Sequence, residues 1–280
     1  MRIFHYRLLN VFAESIFGGN PLCVFTDARG LDDDEMQALA LQFNLSETTF
    51  VLPSENATAR VRIFTPTFEM AFAGHPTLGS AHVVRELRQA GDQITLEMQA
   101  GIIPVSAASD RWTLTAAPAT IRACEHSKDA IALMLGLNAA DILDGACWIN
   151  TGSEQLMVPV ASTVAIRRAR PKADLLATVA NNTGRSMAYL FAADGDKKLL
   201  SRFFFLKYGA IVEDPGTGSA TANLGGWMIQ HGRTPCVYSI VQGEAVGRPC
   251  HIELLVNAAQ EIRVSGKVIE IGRGTVGLPA

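Results

Sequence analysis

Two short segments of this chain match each other 139 positions apart. His75-Pro76-Thr77-Leu78-Gly79-Ser80-Ala81 reads against Asp214-Pro215-Gly216-Thr217-Gly218-Ser219-Ala220, and four of the seven residues are identical. His75 leads one copy and Asp214 the other, so a proton-handling side chain stands at the same point of each. An imidazole near neutral pH gives and takes protons, or donates a hydrogen bond to a ligand. The plainer reading is that each residue caps the helix after it, a place that Asp favours. Pro at the next position suits a first helical turn. Helix N-termini carry unpaired N–H groups and partial positive charge, which suit a small carboxylate. Thr217, Gly218 and Ser219 are the expected backbone donors, and Ser219 adds a hydroxyl. The pattern predicts one site where two related halves meet.

Glu47 lies in Asn44-Leu45-Ser46-Glu47-Thr48-Thr49-Phe50-Val51, between an amphipathic stretch and an apolar one. Apolar neighbours raise a carboxyl's pKa and suit it to carrying protons. The same residues also fit an ordinary Ser/Glu turn. Glu154 follows Ser153 and opens what reads as the corresponding strand of the second half, and pattern alone leaves the choice between Glu47 and Glu154 open. Glu213 is either a solvated charge or a neighbour that shifts Asp214. His82, on the same helical face as His75, reads as a buried, satisfied side chain. His5, His126, His231 and His251 lack metal-ligand spacing, so no metal is expected. Gly218-Ser219-Ala220 is not the G-x-S-x-G elbow of a serine hydrolase. No phosphate loop or dinucleotide fingerprint is present.

The elements that must position these residues are mostly strands. Strand patterns run over Phe4–Phe12, Leu22–Phe25, Thr48–Leu52 and Ala59–Phe64. Asp32-Asp33-Asp34-Glu35 opens a helix to about Asn44, and a second helix runs from Pro76 to about Gln89. In the second half, a helix over Ser127–Leu137 precedes strands over Glu154–Val160 and Ser201–Leu206. Short strands follow at Val237–Gln242, His251–Val256, Glu261–Ser265 and Lys267–Ile271. Pro215 to Gln230 contains no charged residue and six small ones. A helix without a polar face must be buried on every side, so it is expected to thread a curled sheet. Each half thus reads helix, strand, strand, helix among further strands, with a boundary near Pro118.

The chain has 280 residues, 48% hydrophobic, with a net charge of -3. That is enough for two lobes with real cores. No basic run or aromatic–basic interleaving is present, so nucleic acid is an unexpected partner. No apolar stretch reaches a membrane span and no signal peptide is visible. Five cysteines in no C-x-x-C pair disfavour a disulfide framework and a structural zinc. Together these features predict a cytoplasmic protein.

Six segments together resemble the phenazine-biosynthesis PhzF family of isomerases. They are Phe17-Gly18-Gly19-Asn20-Pro21, Asn44-Leu45-Ser46-Glu47-Thr48 and Arg62-Ile63-Phe64-Thr65-Pro66, followed by Ala73-Gly74-His75-Pro76-Thr77-Leu78-Gly79, Glu213-Asp214-Pro215-Gly216-Thr217-Gly218-Ser219-Ala220 and Gln242-Gly243-Glu244-Ala245-Val246-Gly247-Arg248-Pro249. The resemblance implies an α+β fold like that of diaminopimelate epimerase. Two pseudo-symmetric lobes would each wrap a barrel-like, mostly antiparallel sheet around a central helix, with the ligand in the cleft between them. The N-terminal lobe would be 1–116, completed by 266–280, and the C-terminal lobe 117–265. The implied activity is a cofactor-independent isomerisation of a small, cyclic or amino acid-like carboxylate by acid/base catalysis, in a homodimer. By motif match Glu47 carries the proton, which decides against Glu154. His75 and Asp214 polarise the substrate, and Ser219, Gly218, Thr217, Gly74 and Asn20 face it. Epimerases of the superfamily use two cysteines. Here Ala73-Gly74 and Asp214 stand in those places, which argues against a two-cysteine racemase. Two other readings are a racemase of an amino acid-like substrate and a binding protein without turnover.

Overall fold

In the computed structural model, which describes residues 1–279, the chain divides into two compact units. The first holds Met1–Thr115 and the chain from Ser265 onward, and the second Ala116–Val264. Both are α+β.

The first unit contains strands β1 (Arg2–Val11), β2 (Asn20–Phe25), β3 (Glu47–Leu52), β4 (Ala59–Phe64), β5 (Glu69–Met70), β6 (Gln93–Met98), β7 (Gly101–Ala108) and β8 (Arg111–Thr115). Its helices are α1 (Asp33–Phe43) and α2 (Gly74–Leu87). β2 lies antiparallel to β1 and parallel to β3, β4 is antiparallel to β3 and parallel to β6, and β6, β7 and β8 form a meander. The long last strand, Ile262–Leu278, pairs with β1 and with β8 and closes the ring into a barrel. Helix α2 fills it: every residue from Gly74 to Ala81 is buried. Gly79 permits this, because a Cβ there would fall 2.5 Å from Leu22 Cδ2 and 3.1 Å from Val11 Cγ2. Helix α1 lies outside, started by the Asp32–Glu35 capping box. Its Met36, Leu39 and Ala40 pack on Phe25, Phe50 and Phe64.

The second unit contains β9 (Thr120–Ala123), β10 (Cys147–Asn150), β11 (Glu154–Pro159), β12 (Asn181–Asn182), β13 (Arg185–Ala193), β14 (Lys198–Lys207), β15 (Ala210–Asp214), β16 (Cys236–Gln242), β17 (Cys250–Val256) and the start of β18 (Ile262–Leu278). Its helices are α3 (Lys128–Leu135), α4 (Thr163–Arg168), α5 (Ala173–Val179) and α6 (Gly218–Gln230). β11 is parallel to β13 and β14 is parallel to β16; the β9–β10, β10–β11, β12–β13, β13–β14, β14–β15 and β16–β17 pairings are antiparallel. The uncharged helix α6 is buried along most of its length. The three outer helices cover the far side of the sheet through Ile131, Ile166 and Leu176.

Three expectations need correction. Glu261–Ser265 and Lys267–Ile271 are one strand, and Gly266 continues its ladder. The helix of the second repeat starts at Gly218, not at Pro215, which precedes the Thr217 N-cap. The strand opened by Glu154 is also not the counterpart of the strand opened by Glu47. In the first unit the parallel pair β2–β3 is joined across α1; in the second, β11–β13 is joined across α4 and α5. Strand β13 is therefore the partner of β3. Its run Arg185–Ala193 has no β-branched residue, so its local pattern gives little strand signal.

No helix among the described residues is long and apolar enough to cross a membrane.

Candidate functional site

Strand β2 begins at Asn20, the parallel strand β3 begins at Glu47, and α2 starts in the barrel with Gly74 and His75. This arrangement brings three separated motifs together. His75 Nε2 lies 3.4 Å from Glu47 Oε2, and His75 Nδ1 lies 3.4 Å from Asn20 Nδ2. The imidazole is buried, and burial pushes its pKa down from 6.5 to about 3, partly opposed by a hydrogen bond to the Pro21 carbonyl. The ring is therefore neutral at ordinary pH. A carbonyl only accepts, so the ring donates to Pro21. Nε2, the atom nearest Glu47, makes no hydrogen bond. Nε2 faces the Glu47 carboxyl group. A proton delivered to either atom turns this contact into a hydrogen bond.

His75 does not cap its helix. The N-cap is Ala73, and His75 lies inside the first turn. Asp214 is not a cap either, because it ends β15 and the N-cap of α6 is Thr217. The structural alternative stated for these two residues does not hold. Glu154 is half-exposed and pairs with Arg122 at 3.0 Å. Glu47 stands opposite Leu22 in its parallel ladder, and the matching ladder places Ala188 opposite Leu156. The second unit thus has no carboxyl group at the position of Glu47.

The Asp214 turn is held by Gln242. The Gln242 amide donates to the Asp214 carbonyl at 2.8 Å and to Thr217 Oγ1 at 2.9 Å, and its oxygen accepts from the Thr217 N–H at 3.2 Å. Thr217 in turn donates its hydroxyl proton to Asp214 Oδ2. The expectation that the Thr217 N–H serves the ligand is therefore corrected: that donor is engaged by Gln242. Gly218 and Ser219 form the start of α6. Glu213 is neither solvated nor pressed against Asp214. It makes two hydrogen bonds to Arg202, at 3.0 and 2.6 Å, and alternation along β15 sends it to the opposite face.

Beneath Ser219 lies a polar chain that sequence reasoning missed. Gln155 donates to Ser219 Oγ at 3.1 Å, and Asn223 donates to Gln155 Oε1 at 2.8 Å. Asn223 is fully buried in an otherwise apolar helix. A buried amide needs partners, so its place in that helix was the signal available in the sequence. His82 departs from expectation in another way. It packs edge-on against Trp112, and its Nδ1 has no hydrogen-bond partner. Groups of His, Cys, Asp and Glu that could hold a metal ion are absent among the described residues.

A barrel threaded by a buried helix, with a carboxyl group against a neutral imidazole at the helix start, defines an α+β protein with a paired carboxyl group and imidazole inside its first unit. The profile described as "Phenazine biosynthesis-like protein" matches residues 9–274. The chain belongs to this PhzC/PhzF family and is an isomerase of it. It is 39% identical over 278 residues to an uncharacterized isomerase of Pasteurella multocida, covering 98% of this chain and 94% of the relative. It is 32% identical over 281 residues to the trans-2,3-dihydro-3-hydroxyanthranilate isomerase of Pseudomonas chlororaphis, covering 97% and 99%. The crystal structure of a PhzF-family protein of Bacillus anthracis superposes with a TM-score of 0.88 at 23% identity, covering 99% of this chain and all of that one. That likeness concerns the fold.

Proposed function

We propose that this isomerase moves a proton between two carbons of a small, conjugated, cyclic carboxylate, with Glu47 as the proton carrier and no cofactor. The contact between Glu47 and a neutral, buried His75 carries this reading. The substrate carboxylate withdraws electron density and acidifies a neighbouring C–H. Glu47 removes that proton and returns it to another carbon on the same face of the ring. His75, kept neutral by burial, accepts or donates a hydrogen bond at Glu47 without competing for a full charge. Asn20 and Gly74 lie beside this pair in sequence or in space and face the ligand. Asp214, Gly218 and Ser219 are assigned to the ligand by the family resemblance. The relative named for trans-2,3-dihydro-3-hydroxyanthranilate supports a cyclic amino carboxylate as the first substrate to try.

The test uses that compound in deuterated water. Wild-type protein is expected to isomerise it and to incorporate deuterium at carbon. Glu47→Gln should lower both rates by about 10²–10⁴-fold, the usual contribution of one general acid/base group, while the variant still binds the aromatic analogue 3-hydroxyanthranilate. Undiminished exchange in Glu47→Gln refutes the role of Glu47. A wild-type protein that neither isomerises nor exchanges this compound refutes the substrate half.

A further inference from the structure

The buried amides under Ser219 can be oriented without ambiguity. Asn223 Oδ1 receives the Thr151 backbone N–H at 2.9 Å and the Thr151 hydroxyl at 2.7 Å. A backbone N–H only donates, so this atom is the amide oxygen. The other end of Asn223 donates to the Ser153 carbonyl at 2.9 Å, which only accepts. Its second proton goes to Gln155 at 2.8 Å, so the Gln155 atom facing Asn223 is also an oxygen. Gln155 must then turn its NH2 towards Ser219, where it donates at 3.1 Å. Each link is forced by the one before it, starting from two backbone groups that cannot change roles.

The Ser219 oxygen is therefore an acceptor towards the protein interior, and its own proton is directed elsewhere. Ser219 is half-buried, so that proton has a way out. The matching serine of the other repeat behaves in the opposite way. Ser80 is fully buried and donates to Thr49 Oγ1 at 2.9 Å, and Thr49 passes on to the Cys23 carbonyl at 3.5 Å. One serine of the duplicated segment uses its proton inside the fold. The other accepts from a buried amide instead.

We infer that Gln155 and Asn223 are positioning residues that lock Ser219 as an outward O–H donor, so that the ligand atom it meets is an acceptor such as a carboxylate oxygen. This inference rests on the assignment of Ser219 to the ligand in the function proposed above. It concerns binding, whereas Glu47 concerns proton movement, so the two fail separately.

The test is a double-mutant cycle read by calorimetric binding of 3-hydroxyanthranilate. Gln155→Glu keeps the shape but places an acceptor opposite Ser219, which turns the hydroxyl inward. Gln155→Met removes the donor without adding charge, and serves where Gln155→Glu does not fold. Ser219→Ala removes the hydroxyl. Ser219→Ala and Gln155→Glu should each weaken binding about ten-fold or more, as expected for a lost hydrogen bond to a charged group. Gln155→Met should weaken it less. On the Ser219→Ala background neither Gln155 substitution should weaken it further. A Gln155 effect of equal size with and without the Ser219 hydroxyl overturns the relay and indicates a charge or packing effect instead. No binding of the carboxylate by wild-type protein overturns it as well. Loss of solvent exchange with binding intact refutes only the role of Glu47.

Discussion

Replacing His75 by Gln should flatten the acid dependence of stability. In the unfolded chain this ring titrates near its ordinary value of 6.5, and in the folded protein burial holds it at about 3. Above 6.5 the ring is neutral in both states and contributes nothing to the pH dependence. Below 6.5 the unfolded chain binds the proton that the folded protein refuses, so stability falls as pH falls. The loss grows by about 1.4 kcal/mol per pH unit and levels off near the folded value. Between about pH 7 and about pH 5 the two pKa values give a loss of about 2 kcal/mol from this residue alone. The other histidines and the carboxyl groups titrate in both proteins, so the difference between wild type and His75→Gln isolates the ring. Urea unfolding at matched pH values measures it. The wild type should lose about 2 kcal/mol more than the variant across that window, whatever the absolute cost of the substitution at neutral pH. Equal pH dependence in the two proteins would refute the neutral, buried imidazole.

Gly79→Ala should destabilise the first unit by about 1–2 kcal/mol, because crowding of Leu22 and Val11 outweighs the gain in helix propensity. Gly91→Ala has open space around its Cβ and should change urea stability by less than about 0.5 kcal/mol. Similar losses in the two variants would count against the close seating of α2. Arg202→Met should cost about 3–5 kcal/mol, since it strands the buried Glu213 carboxylate. Adding Glu213→Gln should recover much of that loss in thermal unfolding, and a double variant no more stable than the single one contradicts the pairing.

Much of the fold is legible in the sequence, and for local reasons. The first acids of α1 satisfy its N-terminus through a capping box, and the uncharged runs of α2 and α6 admit only buried helices. The long last strand read as two because Gly266 looks like a break to local pattern, yet its pairing partners carry it through. Strand β13 was invisible because a strand buried by neighbours on both faces shows no alternation, and this one carries no β-branched residue. Missing it shifted the internal repeat by one strand and set Glu154 against Glu47. Only the parallel ladders put Ala188 at the matching place.

The site divides in the same way. Residue types and their recurrence put forward His75, Asp214 and Ser219, the local pattern put forward Glu47 and Glu154, and motif likeness chose Glu47 and added Asn20. Hydrogen-bond direction is a tertiary property. It depends on which backbone groups meet each amide, so Asn223's place in an apolar helix signalled a buried partner but not which one, and Gln155 gave no signal. The sequence by itself determined two related units and the side chains that could handle protons. Only the folded chain decided that His75 is neutral, that the Thr217 N–H is engaged by Gln242, and that Ser80 donates to Thr49 where Ser219 accepts from Gln155. Burial and the fixed roles of backbone donors and acceptors, which no linear pattern records, impose those differences on two segments that are alike in sequence.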